Sequence, residues 1–467
     1  MTTHSSAVPS AGQPAGPAPG ELRLIIRDQP LSLAEHIDQY GPLPAGQLDC
    51  ATLIAEVERS GLTGRGGGAF PAGLKIRAVA EATTRTRGIR AVGASAARGS
   101  VTKGSVTKGS VTKGSVTKGS VIVANGSESE PASSKDGVLL SHAPHLVLDG
   151  IAVCARAVGA AQAYLCVGHD AAPVAQFLTG AVAERNRDGL DTVPVEVIRA
   201  PAGYLAGQEN ALISALNGNA PLPTFVPPRP AERGAHRRPT LVLNIETLAH
   251  IALIARFGSH WFRTAGTPGA PGSALVTVTG AVDRPGVREI PLGTALGEVL
   301  QRSGLSQPAQ AVLTGGYFGT WLPLPAALAV PVSHEGMRTA GATLGPGVLA
   351  VLPEAACGLA ETARIARFLA AESAGQCGPC RNGLPALADA LNLIAFGRAG
   401  PDIVGWVQQL AGLVTGRGAC HLPDGTAGLA RSALTVFAAD VQAHLATGPC
   451  AWAGGPPALP VPVRGTS

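Results

Sequence analysis

The sequence has few charged and few aromatic residues. Charged side chains make up 14% of the 467 residues and aromatic ones 4%, whereas about 25% charged residues is usual for soluble proteins. The net charge is +5. Four of the positive charges lie in one short repeat, at Lys103, Lys108, Lys113 and Lys118. Without them the balance falls to +1, so we expect no broad basic surface for nucleic acid or an anionic membrane.

Long apolar runs are also missing. Gly, Pro or a charged residue interrupts each run well before the ~20 residues that a membrane span requires. Residues 1–20 are rich in Ala, Pro, Gly and Ser and lack the apolar core of a signal peptide, which predicts a disordered tail and a cytoplasmic protein. The sequence contains neither a Ser-His-Asp spacing nor a pair of catalytic carboxylates that would suggest a hydrolase.

Gly and Pro, with 61 and 38 residues, divide the chain into short segments. A helix is predicted at Asp49–Arg59, and from Val121 buried apolar runs alternate with helical ones, which indicates a largely parallel sheet. Four VTKGS units at 98–120 have a period of five, which fits neither a helix nor a strand and predicts a flexible insertion. The predicted organisation is an α/β domain at 21–240, a linker helix and small β-rich domain at 241–335, a helical domain at 336–446 and a flexible tail at 447–467.

A glycine-rich turn precedes the helix that carries Lys75. The turn reads Gly64-Arg65-Gly66-Gly67-Gly68-Ala69-Phe70-Pro71. Glycines allow backbone amides to approach a phosphate, and the start of the following helix favours an anion. Lys75 is close enough in sequence to neutralise such a phosphate.

Three further motifs follow in order. Asn125-Gly126-Ser127-Glu128-Ser129-Glu130 ends a predicted strand, where α/β folds bind ligands. The others are Ala202–Leu212, which contains Gly203-Tyr204, and Leu243-Asn244-Ile245-Glu246-Thr247.

These motifs, followed by Glu372–Arg381 with Cys377 and Cys380 and then by Cys420, resemble one family. It comprises the flavin- and NADH-binding subunit of respiratory complex I and the related subunits of NAD-linked hydrogenases and formate dehydrogenases. The resemblance covers roughly Leu62–Phe437. It implies a Rossmann-like α/β FMN domain, then a ubiquitin-like β-grasp (SLBB-type) domain, then a helical bundle with a [4Fe–4S] cluster.

The resemblance also implies roles for individual residues. It places FMN across the glycine loop, with Gly66, Gly67 and Lys75 near the phosphate and with Gly64 and Arg65 also among the cofactor-binding residues. The rest of the flavin pocket would be formed by Asn125, Glu128, Ser129, Tyr204, Gly207, Glu209, Asn244 and Thr247. NADH would stack on the flavin with Phe70 and Glu130 among its contacts. Glu128, Glu130 and Glu209 are the candidate catalytic residues, and a thioredoxin-like [2Fe–2S] subunit is the implied electron acceptor.

The iron–sulfur motif departs from the family pattern. The first of the usual cysteines is Ala374, which leaves Cys377, Cys380 and Cys420. Three thiolates can hold a [3Fe–4S] cluster, or a [4Fe–4S] cluster with an outside ligand. His421 is a possible fourth ligand, while Cys357 is not expected to reach the site and Cys450 carries no signal. Zinc bound by these cysteines with His421, and no metal at all, remain alternatives.

The nucleotide motifs are altered too. The family's Asp is Ser127, one of its paired acids is Gln208, and its first Asn is Leu243. A Lys and a Phe that it places against NADH correspond to Val226 and Arg229. The sequence therefore predicts an NADH-oxidising flavoprotein. The alternatives are a protein that binds FMN but not NADH, and a non-catalytic assembly protein.

Overall fold

The computed structural model describes residues 16–18, 21–27, 29–44, 49–96, 119–305 and 307–462. Side chains are described throughout these ranges except at 87–96. Most of the predicted N-terminal tail and nearly all of the predicted VTKGS insertion lie outside the described residues.

The first part of the chain combines a parallel sheet with surrounding helices. The strands are β1 (Ser120–Gly126), β2 (Ala160–Val167), β3 (Val195–Arg199) and β4 (Thr240–Asn244). The helices are α1 (Leu33–Tyr40), α2 (Cys50–Ser60), α3 (Ala72–Ala96), α4 (Lys135–His142), α5 (Pro144–Val158), α6 (Ala172–Arg187), α7 (Glu209–Leu216), α8 (Pro230–Arg233) and α9 (Ile245–Phe262). All strand pairs are parallel, in the order β3-β2-β1-β4. The predicted α/β pattern is confirmed.

Local sequence signals explain several of these elements. The Asp49 carboxylate accepts hydrogen bonds from the amides of Ala51 and Thr52 at 2.8 and 3.0 Å, which caps the predicted helix α2. Helices α5 and α9 cross closely at Gly150, where an added Cβ would lie 2.2 Å from the Leu248 carbonyl oxygen. Glycine is required there because backbone already fills the space.

The expected boundary at residue 240 cuts this first part. Strand β4 pairs with β1 along its whole length, and the apolar residues of α9 belong to the same core as those of α5. The helix predicted as a linker therefore packs on the parallel sheet.

A second, mixed sheet follows. Its strands are β5 (Ser273–Gly280), β6 (Gly286–Pro291), β7 (Ala309–Thr314), β8 (Thr320–Pro323) and β9 (Val348–Pro353), in the order β6-β5-β9-β7-β8. Helices α10 (Leu296–Arg302) and α11 (His334–Thr339) lie between strands in sequence. The central strand β9 comes after residue 335, so the expected boundary there interrupts the sheet.

The last part is helical, as predicted. It contains α12 (Gly358–Ala371), α13 (Leu384–Ala395), α14 (Ile403–Val414), α15 (Leu422–Val436) and α16 (Ala438–Thr447). Among the described residues no single helix is long and apolar enough to cross a bilayer, although α4 and α5, bent by 94°, pass that test together.

The prediction of a flexible tail is wrong for its described part. Ala453 and Leu459 are buried against the helical core. The Leu459 amide donates to Glu361 at 3.2 Å, and Arg364 donates to the Gly455 carbonyl at 2.5 Å. The Pro- and Gly-rich composition thus describes an irregular but packed segment, and residues 463–467 lie outside the described chain.

Candidate functional site

The first sheet contains a topological switch point between β1 and β4. From β1 the chain proceeds to β2 and β3 on one side, and β4 then pairs on the other side of β1. Asn125 and Asn244, at the carboxyl ends of these two strands, are register partners. Open α/β sheets bind ligands in the crevice outside the carboxyl ends of strands at such a point.

The glycine turn covers this crevice. Its base is closed by the Gly64 amide, which donates to the Phe70 carbonyl at 2.9 Å. A Cβ at Gly66 would lie 3.2 Å from that of Asn244, so the turn passes directly over the end of β4. Gly67 has a φ of +105°, which favours glycine. At Gly68 an added Cβ would meet no atom within 4 Å, so this side of the turn faces open space.

Arg65 and Thr247 support the turn from beneath. The Arg65 amide donates to the Thr247 hydroxyl at 2.9 Å. The buried Arg65 guanidinium donates to the Ser273 carbonyl at 3.0 Å and to the Thr63 hydroxyl at 2.9 Å, and it lies 3.8 Å from Glu246. Burial lowers the pKa of Arg65. The charge of Arg65 therefore points into the protein, and its predicted contact with a cofactor is untested.

A buried charged group below the crevice was not assigned from the sequence. The Lys135 ammonium lies 2.7 Å from Asp136 and 2.9 Å from Glu246, and donates to the Asn244 side chain at 3.3 Å. Burial alone would lower the pKa of Lys135, but the two carboxylates raise it above its ordinary value. Lys135 and Lys75 are the only lysines in the sequence outside the repeat. This rarity is the one feature of the sequence that could have drawn attention to Lys135.

The other lysine pairs with a second predicted site residue. Lys75, in the first turn of α3, lies 2.8 Å from Glu209, the first residue of α7. Both side chains are partly exposed, at 25% and 35%. An anion that enters beside the glycine turn would compete with Glu209 for the ammonium group.

Glu128 is oriented toward α4. Its carboxylate accepts hydrogen bonds from the Asp136 amide at 2.9 Å, the Gly137 amide at 2.8 Å and the Ser133 hydroxyl at 2.8 Å. Burial, and secondly the charge of Asp136, raises its pKa. These contacts make Glu128 a capping residue that holds the loop after β1 in place. The catalytic role expected from the resemblance stays a prediction.

Glu130 joins three parts of the chain. Its carboxylate accepts hydrogen bonds from the Tyr204 hydroxyl at 2.8 Å, the Tyr317 amide at 2.9 Å and the Ala132 amide at 3.3 Å. Burial raises the pKa of Glu130 to about 7. Glu130 thus fixes the loop after β1 to the turn at Tyr204 and to the second sheet.

Ser129 and Gly207 bring two motifs into contact. The Asn125 side chain donates to the Gly207 carbonyl at 2.8 Å. A Cβ at Gly207 would lie 2.5 Å from the Ser129 hydroxyl, so only glycine allows this approach.

Phe70, which the resemblance predicts to contact NADH, lies on the surface, where its side chain is 55% exposed.

The three predicted cluster cysteines lie together in the helical part, on and near a single π-turn at Pro379–Gly383. The amides of Cys380 and Ala419 hydrogen-bond the Cys377 sulfur and outweigh burial, so that the pKa of Cys377 lies below its ordinary value. Burial, and secondly the neighbouring thiol of Cys377, raises the pKa of Cys380 to about 11. Burial, and to a smaller extent the neighbouring Cys377, raises the pKa of Cys420.

These contacts fit an iron–sulfur cluster with three thiolate ligands. Hydrogen bonds to sulfur are one of the means by which proteins tune such clusters. Ala374 packs against the same apolar core as the three cysteines but offers no ligand atom. The His421 side chain is 94% exposed and lies 3.5 Å from Asp424, so it does not complete the site.

Gln208 connects the two sites. Burial raises the pKa of the Cys420 thiol, and the Gln208 side chain lies close enough to that thiol to oppose the shift, while its neighbour Glu209 pairs with Lys75. One end of α7 therefore contacts both the helix after the glycine turn and a candidate cluster ligand.

Comparisons with known proteins agree with this arrangement. The Nuo51 FMN-binding domain family matches residues 98–253, and the NADH-ubiquinone oxidoreductase-F iron-sulfur binding region matches residues 360–444. An NADH-quinone oxidoreductase subunit of Mycobacterium tuberculosis is 32% identical over 409 residues, which cover 85% of each chain. The chain therefore belongs to the Nuo51 family of NADH-quinone oxidoreductase subunits.

More distant members of the Nuo51 family match over a similar length. The mitochondrial NADH dehydrogenase [ubiquinone] flavoprotein 1 of Dictyostelium discoideum is 27% identical over 84% of this chain and 78% of its own. The structure is similar to that of an NAD+-reducing [NiFe]-hydrogenase in its H2-reduced state, with 28% identity and a TM-score of 0.75 over 90% of this chain and 68% of the other. The protein thus has the FMN-binding and iron–sulfur binding regions of a Nuo51-type flavoprotein, as the motif order predicts.

Proposed function

We propose that the protein oxidises NADH at the crevice between β1 and β4 and delivers the electrons through an iron–sulfur cluster to a partner protein. When bound, FMN supplies a two-electron acceptor for the hydride that can release electrons singly. The observation that carries the proposal is that Glu209, at the start of α7, pairs with Lys75 beside the glycine turn, while the preceding residue Gln208 lies near the Cys420 thiol.

The chain's own residues bind and orient the flavin in this proposal. Lys75 would pair with the phosphate in place of Glu209, and the open side of the turn at Gly68 would face the phosphate. Asn125 and Asn244 lie at the end of the crevice, where the switch point places the ligand. Glu128, Arg65 and Thr247 act as positioning residues, because their polar atoms are already bonded to the loops that form the site.

Glu130 positions the flavin loop against the second sheet. Its contacts with Tyr204 and Tyr317 exclude water from the region where that sheet meets the first part of the chain. The nicotinamide of NADH would approach from the exposed side, where Phe70 offers an aromatic surface.

Cys377, Cys380 and Cys420 hold the cluster. With Ala374 at the fourth position, three protein thiolates favour a [3Fe–4S] cluster, or a [4Fe–4S] cluster whose fourth iron takes a ligand from outside the chain. The amide donors to the Cys377 sulfur stabilise the thiolate that either cluster requires.

We further infer that the second sheet forms a domain of the ubiquitin-like β-grasp type. The strand order, with the first and last strands parallel and adjacent in the middle, supports this assignment, as does α10 between the second and third strands. The relatives are named as subunits of NADH-quinone oxidoreductases, which supports a thioredoxin-like [2Fe–2S] subunit as the electron acceptor.

The test is the visible spectrum of the protein purified without oxygen. We expect a flavin band near one equivalent per chain that bleaches on addition of NADH. A flavin band that NADH leaves unchanged would instead indicate an FMN protein with another electron donor, and a colourless protein would indicate an assembly role. Iron content should fall in Cys377→Ser but not in Cys50→Ser, which alters an exposed cysteine distant in sequence.

A further inference from the structure

A second group of metal-ligating side chains lies away from the three cluster cysteines. Cys357 precedes α12, His444 lies in α16, and Cys450 follows α16 in the C-terminal segment. The two sulfurs and one ring nitrogen all lie within 4.8 Å of one another. We propose that Cys357, His444 and Cys450 form a binding site for a thiophilic divalent cation, zinc in the first instance, that fastens the C-terminal segment to α12.

The spacing of the ligand atoms is near that of a tetrahedral zinc site. Zn–S bonds of about 2.3 Å and Zn–N bonds of about 2.0 Å separate sulfur from nitrogen by roughly 3.6 Å. Cys357 Sγ lies 3.9 Å from His444 Nε2. A closure of a few tenths of an ångström therefore brings these two atoms to the distance that the metal requires.

The orientation of His444 suits a ligand. Its Nδ1 lies 3.3 Å from the Ile394 carbonyl oxygen, an arrangement that retains the ring proton on Nδ1 and leaves the Nε2 lone pair toward the two sulfurs. Backbone carbonyls commonly hold metal-binding histidines in this way. Nε2 also accepts the Cys450 amide at 3.1 Å, and a bound cation would replace that donor.

The two thiols of the site differ in their exposure to solvent. Cys357 is buried at the N-terminus of α12, where its sulfur accepts the Ala360 amide at 3.4 Å. Burial outweighs this hydrogen bond and raises the pKa of the thiol, so a metal has to displace the thiol proton when it binds. Cys450 is exposed and provides a route for entry from solvent. Binding of Zn2+ to two thiols and a neutral imidazole releases two protons and leaves no net charge on the two thiolates and the metal.

The site also explains why an irregular segment is packed. Residues 448–462 contain no helix or strand, yet Ala453 and Leu459 are buried. A metal bond at Cys450 would anchor the beginning of this segment. His444 contacts the Ile394 carbonyl near the end of α13, whereas Cys380 lies just before α13 begins, so the length of this helix separates the site from the cluster cysteines.

The test uses the full chain with Cys377→Ser and Cys380→Ser, so that the other thiol group cannot bind the added metal. Anaerobic addition of Co2+ should give thiolate charge-transfer bands and tetrahedral d–d bands that saturate at one equivalent and disappear when Zn2+ is added. About two protons should be released per zinc, as measured with a pH indicator. The melting temperature should rise with zinc.

Variants in the same background separate this site from accidental binding. Cys450→Ser and His444→Gln should each weaken Co2+ binding at least about tenfold and abolish the zinc-dependent rise in melting temperature. Cys50→Ser, which alters another exposed thiol, should change neither. No tetrahedral Co2+ spectrum, an unchanged spectrum in Cys450→Ser, or a Cys357–Cys450 disulfide in anaerobically purified protein would overturn the proposal.

Discussion

The hydroxyl of Tyr204 donates a hydrogen bond of 2.8 Å to the buried carboxyl group of Glu130. Tyr204 also packs edge-on against Phe318 and Phe368, with ring centroids 5.8 Å apart in each pair. Because Glu130 belongs to the loop after β1 and Phe368 to α12, this contact joins the flavin part of the chain to the helical part.

Glu130 should make the stability of the protein depend on pH. Its pKa rises from an ordinary value of 4.5 to about 7 on folding, because of burial. The folded state then binds the proton more tightly, so this contribution is full below pH 4.5 and is lost as the pH rises toward 7, by up to about 3 kcal/mol. Glu130→Gln should flatten this part of the stability profile, measured by urea unfolding between pH 5 and pH 8.

The control for Glu130 is Glu298→Gln on the exposed side of α10, where the carboxylate pairs with Arg302. This variant should retain the slope of the unaltered protein. An equal slope in Glu130→Gln and the unaltered protein would contradict the assignment of the proton to Glu130.

Lys75 should contribute to binding of the flavin phosphate. Lys75→Gln removes the ammonium group that now pairs with Glu209, and we expect about tenfold weaker FMN binding, or about 1.4 kcal/mol, for a partly exposed charge. Riboflavin, which lacks the phosphate, should bind equally to both proteins. Quenching of flavin fluorescence measures both affinities.

Arg77→Gln is the matched control for Lys75, because Arg77 lies two residues later in α3 and pairs with Glu58 at 2.6 Å. It should leave FMN affinity unchanged. If Lys75→Gln weakened riboflavin binding as much as FMN binding, the lysine would support the fold of the site and not the phosphate.

The sequence predicts the elements of the first sheet better than its contacts. Apolar periodicity and the Asp49 cap are local signals, and the helix they predict is present as α2. The partners of Glu130 are 74 and 187 residues away in sequence. No periodicity encodes such distances, so the motif resemblance suggested the region without revealing that Glu130 faces Tyr317.

Composition misled the interpretation of the C-terminal segment. The segment after Thr447 is rich in Pro and Gly, but Leu459 packs into the helical core, and a count of residue types contains no information on such packing. The sequence also could not indicate the direction of the Arg65 side chain, which reaches the Ser273 carbonyl at the start of the second sheet.

Asp149 should be essential for the stability of the first part of the chain. Its carboxylate lies 2.7 Å from His36, 2.9 Å from Arg185 and 2.5 Å from Arg256. Burial raises its pKa, but the hydrogen bond from His36 and the charges of the two arginines outweigh it, so the pKa lies far below its usual range. Asp149→Asn removes the carboxylate that pairs with Arg256, whereas Arg185 retains Asp191 at 2.8 Å, and the substitution should cost about 3–5 kcal/mol in the free energy of unfolding.

Thermal unfolding monitored by circular dichroism measures this effect. The matched control is Asp170→Asn, since the Asp170 side chain is fully exposed, and it should shift the melting temperature little. A loss below about 1 kcal/mol in Asp149→Asn would indicate that water compensates the two arginines.

Ala374 should determine how many irons the cluster holds. It packs against the same apolar core as Cys377, and the backbone of the next residue, Gly375, lies near the Cys380 sulfur. Ala374→Cys adds a fourth thiol at the position where the family has a cysteine, and four thiolates favour a [4Fe–4S] cluster. In anaerobically reconstituted protein we expect iron to rise from about three to about four per chain, with the corresponding change of the electron paramagnetic resonance spectrum.

Ala374→Ser adds similar bulk without a thiolate and should keep the original spectrum. The prediction fails if the unaltered chain already binds four irons and Ala374→Cys changes neither the iron content nor the spectrum. Another ligand would then hold the fourth iron, and Ala374 would not limit the number of irons in the cluster.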